Sequence, residues 1–163
     1  MMQMFETGQL GYLAGSIDGE GCVSIQKSKP RRNCGYPYGR FDLMLSIENT
    51  DLRLMEWLKR NFGGRIWTSR KRLKANHKFE LHWRINSNKA AVLLEACLPF
   101  LVIKKEQARI AIAFQKTKHS ELQRQANGQI MRLDSHIFEE RQKYYDKMKV
   151  LNRKGRVAGG SVA

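Results

Sequence analysis

The fold is decided by one stretch near the N-terminus, Leu13-Ala14-Gly15-Ser16-Ile17-Asp18-Gly19-Glu20-Gly21. Its apolar spacing predicts a helix from about Gln9 to Ile17, with Thr7 as the N-cap. Glycines recur around that helix at intervals of four: Gly11, Gly15 and Gly19. Glycine inside a helix is costly, whereas a stripe of small residues lets a second backbone approach closely. We therefore predict that this helix packs against another helix along the stripe.

Two pairs of strands follow the helix. In the first pair, apolar and polar residues alternate across 23–28 and again from Phe41 to Ile47, and residues 30–39 form a turn-rich basic connection. A helix from Asp51 to Phe62, ended by glycines, separates this pair from the second. The second pair alternates over 65–69 and from Phe79 to Ile85, joined by the basic run 70–74.

Helices complete the chain, from about Ser87 to Cys97, Lys105 to Lys116 and Asp134 to Leu151. The predicted class is α+β, with the order αββαββα and a helical C-terminal end. A four-stranded antiparallel sheet with helices behind and a basic face in front would twist into a saddle. Residues 1–154 are predicted to form one domain, and residues 155–163 a disordered tail.

The composition narrows the choice of partner. Among 163 residues, 30 Lys and Arg stand against 15 Asp and Glu, which gives a formal net charge of +15. An excess of this size attracts polyanions, nucleic acid first and an anionic membrane surface second. The surplus falls on strands and loops between Lys27 and Arg84, which favours DNA or RNA. No stretch is apolar for long enough to span a membrane, so no membrane partner is expected.

Cysteine usage indicates the compartment. Cys22, Cys34 and Cys97 are odd in number and lack the spacing of a zinc ribbon. This pattern is typical of a reducing environment. We expect an intracellular protein that acts at DNA, in an archaeal or bacterial cytoplasm or in an organelle.

The stretch from Leu13 to Gly21 resembles the signature of the LAGLIDADG homing endonucleases. Six of its nine letters are identical, and Glu20 replaces the final Asp of the signature conservatively. Ser16 and Gly19 depart from the signature but keep a small-residue surface. The order of elements is also that of the family's homing-endonuclease core, so the resemblance covers about residues 8–118. It implies a site-specific DNA endonuclease that depends on Mg²⁺ or another divalent cation.

The resemblance also implies how the metal and the phosphate are bound. The carboxylate of Glu20 and the backbone carbonyl of Gly19 would hold the metal, and Asp18 would be structural. Lys104 lies in a segment similar to the family's second conserved stretch and would approach the scissile phosphate. Lys105 is the alternative for that role.

Two further inferences rest on the family. Asn49 and Arg53 would complete the catalytic site, with Glu48 or Thr50 as alternatives for the polar position. A single copy of the nonapeptide implies a homodimer that cuts a long pseudo-palindromic target and leaves short 3′ overhangs. The dimer interface would then contain Gly11, Tyr12 and Gly15.

Strand alternation and the basic loops predict the residues that contact double-stranded DNA. They are Ser24, Gln26, Ser28, Arg31, Arg32, Arg40, Met44, Ser46, Arg65, Trp67, Arg70, Arg72, His82 and Arg84. Arginine pairs with guanine and glutamine with adenine, so Gln26, Arg40 and Arg84 are the expected base readers. Packing within the protein is the alternative for Met44 and Trp67.

Two rival functions share this fold and charge. A non-cleaving intron maturase would bind intron RNA, and a DNA-binding regulator would bind its site without cutting it. Neither role needs Glu20 or Lys104. The presence of both residues at matching positions therefore favours the endonuclease.

Overall fold

The computed structural model describes residues 5–30, 39–68, 79–118 and 135–153. Its helices are α1 (Thr7–Glu20), α2 (Leu52–Phe62), α3 (Ser87–Cys97), α4 (Lys105–Lys116) and α5 (Ser135–Leu151). Its strands are β1 (Gly21–Lys27), β2 (Phe41–Asn49), β3 (Arg65–Thr68) and β4 (Leu81–Asn86). The predicted α+β class and the order αββαββα with a C-terminal helix are confirmed. The predicted tail at 155–163 and most of both basic connections lie outside the described residues.

The four strands form one open antiparallel sheet in the order β1-β2-β4-β3. The register places Leu45 opposite both Val23 and Ile85, so apolar side chains of neighbouring strands share one face. The helices cover that face and complete a single core. The other face carries the alternate, mostly polar residues of every strand, as period-two alternation requires.

Trp83 on β4 anchors the core. Its side chain is fully buried, and its indole Nε1 donates a hydrogen bond to the carbonyl of Gly63 at 2.7 Å. Burial of a large apolar side chain contributes about 1.5–3 kcal/mol to folding, and the hydrogen bond satisfies the indole N–H. Gly64 adopts a positive φ of 86°, and a Cβ there would lie 2.6 Å from the carbonyl oxygen of Arg84. The glycine pair therefore ends α2 and lets the chain pass close to β4.

The helix α5 covers the edge strand β1. Met148 and Arg141 of α5 are buried. The Arg141 guanidinium donates to the hydroxyl and the carbonyl of Thr117, just after α4. Beyond α5, Asn152 donates from its side-chain amide to the carbonyl of Val23 at 2.8 Å. This bond satisfies a carbonyl of an edge strand that could otherwise pair with another chain.

Some predicted boundaries were wrong. The helix α1 begins at Thr7, with Glu6 as its N-cap, so the prediction of Thr7 as the cap was incorrect. It also continues to Glu20, three residues past Ile17, because contacts from the distant residue Lys104 satisfy carbonyls of its last turn. Strand β4 begins at Leu81, so Phe79, where the predicted strand began, lies before it and is 46% exposed.

We expect Gly21→Ala to destabilise the protein by about 1–3 kcal/mol because the site is overpacked. A Cβ on Gly21 would lie 2.6 Å from the Ile17 Cα and 2.7 Å from its carbonyl oxygen. Chemical denaturation followed by circular dichroism measures the change. Gly8→Ala is the control, because a Cβ there meets no atom within 4 Å in the described part of the chain. Equal stabilities for the two variants would contradict the prediction.

Candidate active site and nucleic-acid interface

One side of α1 is buried and the other is open. Leu13, Ala14 and Ile17 are fully buried in the core. On the opposite side lies the glycine stripe, made up of Gly11, Gly15 and Gly19. Within the described residues, a Cβ built on any of these glycines would meet no atom within 4 Å. The stripe is therefore a smooth surface with room for another backbone.

Tyr12 lies beside this stripe and is 57% exposed. Its ring packs edge-on against Trp57 of α2, with 4.8 Å between the ring centroids. The same two aromatic residues line a surface pocket that extends to Asn49 and to Arg53. The pocket thus joins the open side of α1 to the residues at the end of β2.

Glu20 is the last residue of α1 and is exposed. The side-chain amide of Asn49, at the end of β2, donates a hydrogen bond to Glu20 Oε2. The Asn49 carbonyl oxygen accepts from the backbone N–H of Asp51 at 2.8 Å, which holds the amide with its NH₂ group toward Glu20. Of the three polar residues considered at this position, Asn49 is the one that the structure bonds to Glu20.

Hydrogen bonds to the Asp18 side chain connect the turn before α4 to the end of α1. The Asp18 carboxylate accepts hydrogen bonds from three backbone N–H groups, at 2.7 Å from Val102, 3.2 Å from Ile103 and 2.8 Å from Lys104. Partial burial alone would raise the pKa of Asp18. The three N–H bonds and the charge of Lys104 outweigh it and hold the pKa below its ordinary value. The predicted structural role of Asp18 therefore has a direct physical basis.

Lys104 completes this connection from the other side. Its ammonium donates to the carbonyl of Ile17 at 2.8 Å and to the carbonyl of Asp18 at 2.7 Å. These carbonyls lie at the negative end of the helix dipole, where a cation is stabilised. Lys104 and Glu20, two of the predicted site residues, therefore lie at the same end of α1. Within the described part of the chain, two of the three ammonium N–H groups have partners, which leaves one for a phosphate or a water.

Arg53 is not joined to Glu20. Its guanidinium binds the carboxylate of Asp51, with the closest contact at 2.6 Å, and Asp51 in turn caps α2 through the backbone N–H of Arg53. Asp51 is thus the N-cap of α2. The Arg53 side chain is 90% exposed, so a phosphate could take the place of Asp51.

One chain offers a limited donor set for a metal. Among the residues that the structure describes, no three His, Cys, Asp or Glu side chains converge as a metal-binding group. Glu20 and the carbonyl of Gly19 supply hard oxygen donors at a helix C-terminus, where partial negative charge favours a cation. Mg²⁺ keeps several waters and takes one or two protein carboxylates, so this small donor set fits it.

The outward face of the sheet carries most of the predicted DNA-binding residues. Gln26, Arg40 and Arg65 are exposed there, and Trp67 is 37% exposed. Ser28 lies just past β1, where its hydroxyl accepts a hydrogen bond from the backbone N–H of Arg40. Four further predicted residues lie outside the described part of the chain: Arg31, Arg32, Arg70 and Arg72.

Met44 and Ser46 require a correction. Both were expected to be available to DNA, yet they are only 8% and 4% exposed. They lie on β2, between β1 and β4, and residues of both neighbouring strands flank them. Alternation predicts which face of the sheet a side chain lies on. Its exposure also depends on the side chains of the neighbouring strands. For Met44, the alternative of packing within the protein is the one confirmed.

An aromatic stack lies on the same face. The rings of Trp67 and His82 are nearly parallel, with 5.1 Å between centroids, and the Arg84 guanidinium lies 4.5 Å from the Trp67 ring. His82 also contacts two carboxylates, Glu48 at 3.2 Å and Glu80 at 3.7 Å. Glu48 was not among the predicted DNA-binding residues, although alternation from Met44 and Ser46 along β2 places it on the same face.

Comparison with known proteins identifies the family. The model of the LAGLIDADG endonuclease family matches residues 13–101. The chain belongs to that family. LAGLIDADG homing endonucleases are DNA-cleaving hydrolases that use divalent metals, and the chain is accordingly an enzyme of this class. No sequence among curated proteins matches it.

Solved structures show the same fold. The homing endonuclease I-CvuI, in complex with its target in the presence of Ca, is 20% identical, with a TM-score of 0.68 over 91% of this chain and 84% of its own. The archaeal intron-encoded homing endonuclease I-Vdi141I, complexed with DNA, is 20% identical, with a TM-score of 0.67 over 96% and 91%. The meganuclease I-SmaMI, bound to uncleaveable DNA, is 17% identical, with a TM-score of 0.60 over 90% of this chain and 45% of its own.

Among the described residues, no helix is both long enough and apolar enough to cross a bilayer.

We expect Asp18→Asn to lower the free energy of unfolding by about 1–2 kcal/mol at neutral pH. The amide would turn a donor toward backbone N–H groups that now meet a carboxylate oxygen. Because the folded-state pKa of Asp18 is lowered, its contribution is complete above about pH 4 and is lost as the pH falls through the folded pKa. Urea denaturation between pH 3 and pH 7 measures the difference from wild type.

The control for this measurement is Asp146→Asn, on an exposed part of α5. Asp146 accepts one hydrogen bond, from Gln142 in the same helix, so its loss should change stability much less. A loss for Asp18→Asn no larger than the control's, or one that grows as the pH falls, would contradict the role assigned to Asp18.

Proposed function

We propose that the chain is a homodimeric, Mg²⁺-dependent endonuclease of the intron-homing type that cuts both strands of a specific DNA site. The observation that carries this proposal is the open glycine stripe of α1, which leads directly to the exposed carboxylate of Glu20. The hydrogen bond from Asn49 and the ammonium of Lys104 lie at the same helix end. A helix surface suited to close packing thus ends at a carboxylate and a cation.

A dimer is proposed because a double-strand cut needs two cleavage sites. The described part of a single chain has one such carboxylate site at the end of a glycine-striped helix. Two α1 helices packed along their stripes on a two-fold axis would bring two Glu20 side chains near that axis. The interface would contain Gly11, Tyr12 and Gly15. Each subunit would then hydrolyse one strand.

The residues at the helix end have separable tasks. Glu20 and the carbonyl of Gly19 would hold the metal, which when bound stabilises charge on the phosphate and activates water. Asn49 holds the Glu20 carboxylate in one orientation. Lys104, held by the Ile17 and Asp18 carbonyls, would donate a further N–H to a phosphate oxygen or to the attacking water. Arg53 would release the carboxylate of Asp51 and bind a phosphate in its place.

The target follows from symmetry and from the outward face of the sheet. A two-fold dimer reads two inverted half-sites, so the site is pseudo-palindromic. Gln26, Arg40, Arg65 and Arg84 lie on the face that would enter the major groove of each half-site. Cutting of the two strands across the minor groove leaves short 3′ overhangs.

We expect Glu20→Gln to reduce cleavage by at least about 10²-fold and to leave DNA binding intact. The substitution removes the charge that holds the metal and preserves the shape of the side chain. Purified protein with Mg²⁺ is incubated with a randomised pseudo-palindromic DNA library, and the cut ends are sequenced. Staggered double-strand cuts by the wild type, lost in the variant, are the expected result.

The matched control is Glu56→Gln, an exposed glutamate on α2 that lies outside the proposed site. It should cut like the wild type. Binding without cutting by all three proteins would overturn the nuclease proposal. Intron RNA would then be tested as the ligand, since a maturase and a DNA-binding regulator would both give that result.

We expect Gly15→Leu to weaken dimerisation by at least about tenfold. The added side chain would occupy the surface along which two helices must approach, and in a single chain it meets open space. Analytical ultracentrifugation over a range of concentrations measures the dissociation constant. Glu139→Leu, at an exposed position of α5, is the control for added apolar surface. A wild type that is monomeric at all concentrations would exclude the proposed dimer.

A further inference from the structure

We propose that Glu48 is a specificity-determining residue that selects a cytosine at one fixed position in each half-site. This inference rests on the proposed function, because it concerns the DNA that the outward face of the sheet would contact. It identifies a feature of the target that the basic residues alone do not determine.

The register of the sheet places Glu48 on that outward face. Glu48 pairs with His82 across β2 and β4, and Trp67 pairs with His82 from the other side. The next residue, Asn49, points to the opposite face and binds Glu20. Glu48 is therefore the last outward-facing residue of β2 before the candidate cleavage site, and the base that it contacts lies toward the centre of the target.

Asp42, the other carboxylate on the outward face of β2, is already satisfied within the protein. Arg40 approaches it at 2.6 Å and Lys118 at 3.0 Å. Burial alone would raise the pKa of Asp42, but the hydrogen bonds and charges of these two cations bring it below its ordinary value. Its charge is thus neutralised, and both of its oxygens have partners.

Glu48 differs from Asp42 in its surroundings. In the part of the chain that the structure describes, its carboxylate has one polar contact, from His82 Nδ1 to Oε1 at 3.2 Å. The side chain is 51% exposed, so Oε2 remains available to an external donor. This exposed oxygen can therefore accept a hydrogen bond from a donor outside the protein.

His82 lies directly beside that acceptor. Its side chain is 14% exposed and lies against the Trp67 ring, with the two ring planes 9° apart. A carboxylate next to a packed ring has fewer positions available than a glutamate surrounded by solvent, so it loses less conformational entropy on binding. The geometry is therefore suited to discriminating between bases.

The chemistry of the major groove selects the base. A carboxylate repels phosphates, so its favourable partner is a base-edge donor, and the groove offers two: cytosine N4 and adenine N6. Adenine also presents N7, an acceptor beside that donor, which repels a carboxylate. Cytosine carries no such acceptor at its major-groove edge, so it is the preferred partner of Glu48.

The test is selection of bound DNA rather than cut DNA. Full-length wild type, Glu48→Gln and Glu80→Gln are each incubated with a randomised pseudo-palindromic library in Ca²⁺, and the retained DNA is sequenced. The wild type should enrich cytosine at one symmetric pair of positions toward the centre. In Glu48→Gln that preference should fall by about tenfold and move toward adenine, which pairs with an amide through N6 and N7. Preferences elsewhere should not change.

Glu80→Gln is the matched control, because Glu80 also contacts His82 but lies outside β4. It should keep the cytosine preference. The same change in both variants would show an effect transmitted through His82 and would overturn the assignment. If Glu48→Gln enriches the same bases as the wild type, this inference alone is overturned. If the wild type enriches no DNA sequence, the proposed function is overturned as well.

Discussion

The carboxylate of Asp18 and the ammonium of Lys104 form a reciprocal connection on which the rest of the candidate site depends. Asp18 accepts the backbone N–H groups of the turn before α4, and Lys104 returns its side chain to the carbonyls at the end of α1. Terminal carbonyls of a helix fray when they have no partner. The connection keeps the last turn of α1 helical, so Glu20 projects from an ordered position where Asn49 can reach it.

The helix α1 and the sheet each have one side buried in the core and one side exposed, and every proposed contact uses an exposed side. The buried side of α1 fixes the helix, and its glycine stripe stays open for a second copy. The sheet likewise buries one face and presents the other to a nucleic acid. Close packing of the core makes these surfaces rigid. Proposed dimerisation, catalysis and DNA reading are therefore three uses of surfaces that a single folding event positions.

Charge has different effects at different points on the outward face. The net charge of +15 supplies attraction to any DNA sequence, and that attraction weakens with salt. Carboxylates on the same face oppose it. The structure neutralises Asp42 with Arg40 and Lys118, yet it leaves an oxygen of Glu48 available. In the proposed complex, the cations supply general affinity, and Glu48 adds base discrimination by a residue of opposite sign to the arginine readers.

Local sequence patterns were sufficient for the order of the elements and for the bounds of α3 and α4, because helical and strand periodicity is a property of neighbouring residues. The family resemblance also pointed to Glu20, Asn49 and Lys104, and the structure brings these three residues to one end of α1. The length of α1 and the burial of Met44 and Ser46 were missed. Lys104 reaches α1 across 86 residues, and the two β2 side chains are flanked by residues of the neighbouring strands. Such contacts form only when the chain has folded, so they leave no periodic signal in the sequence.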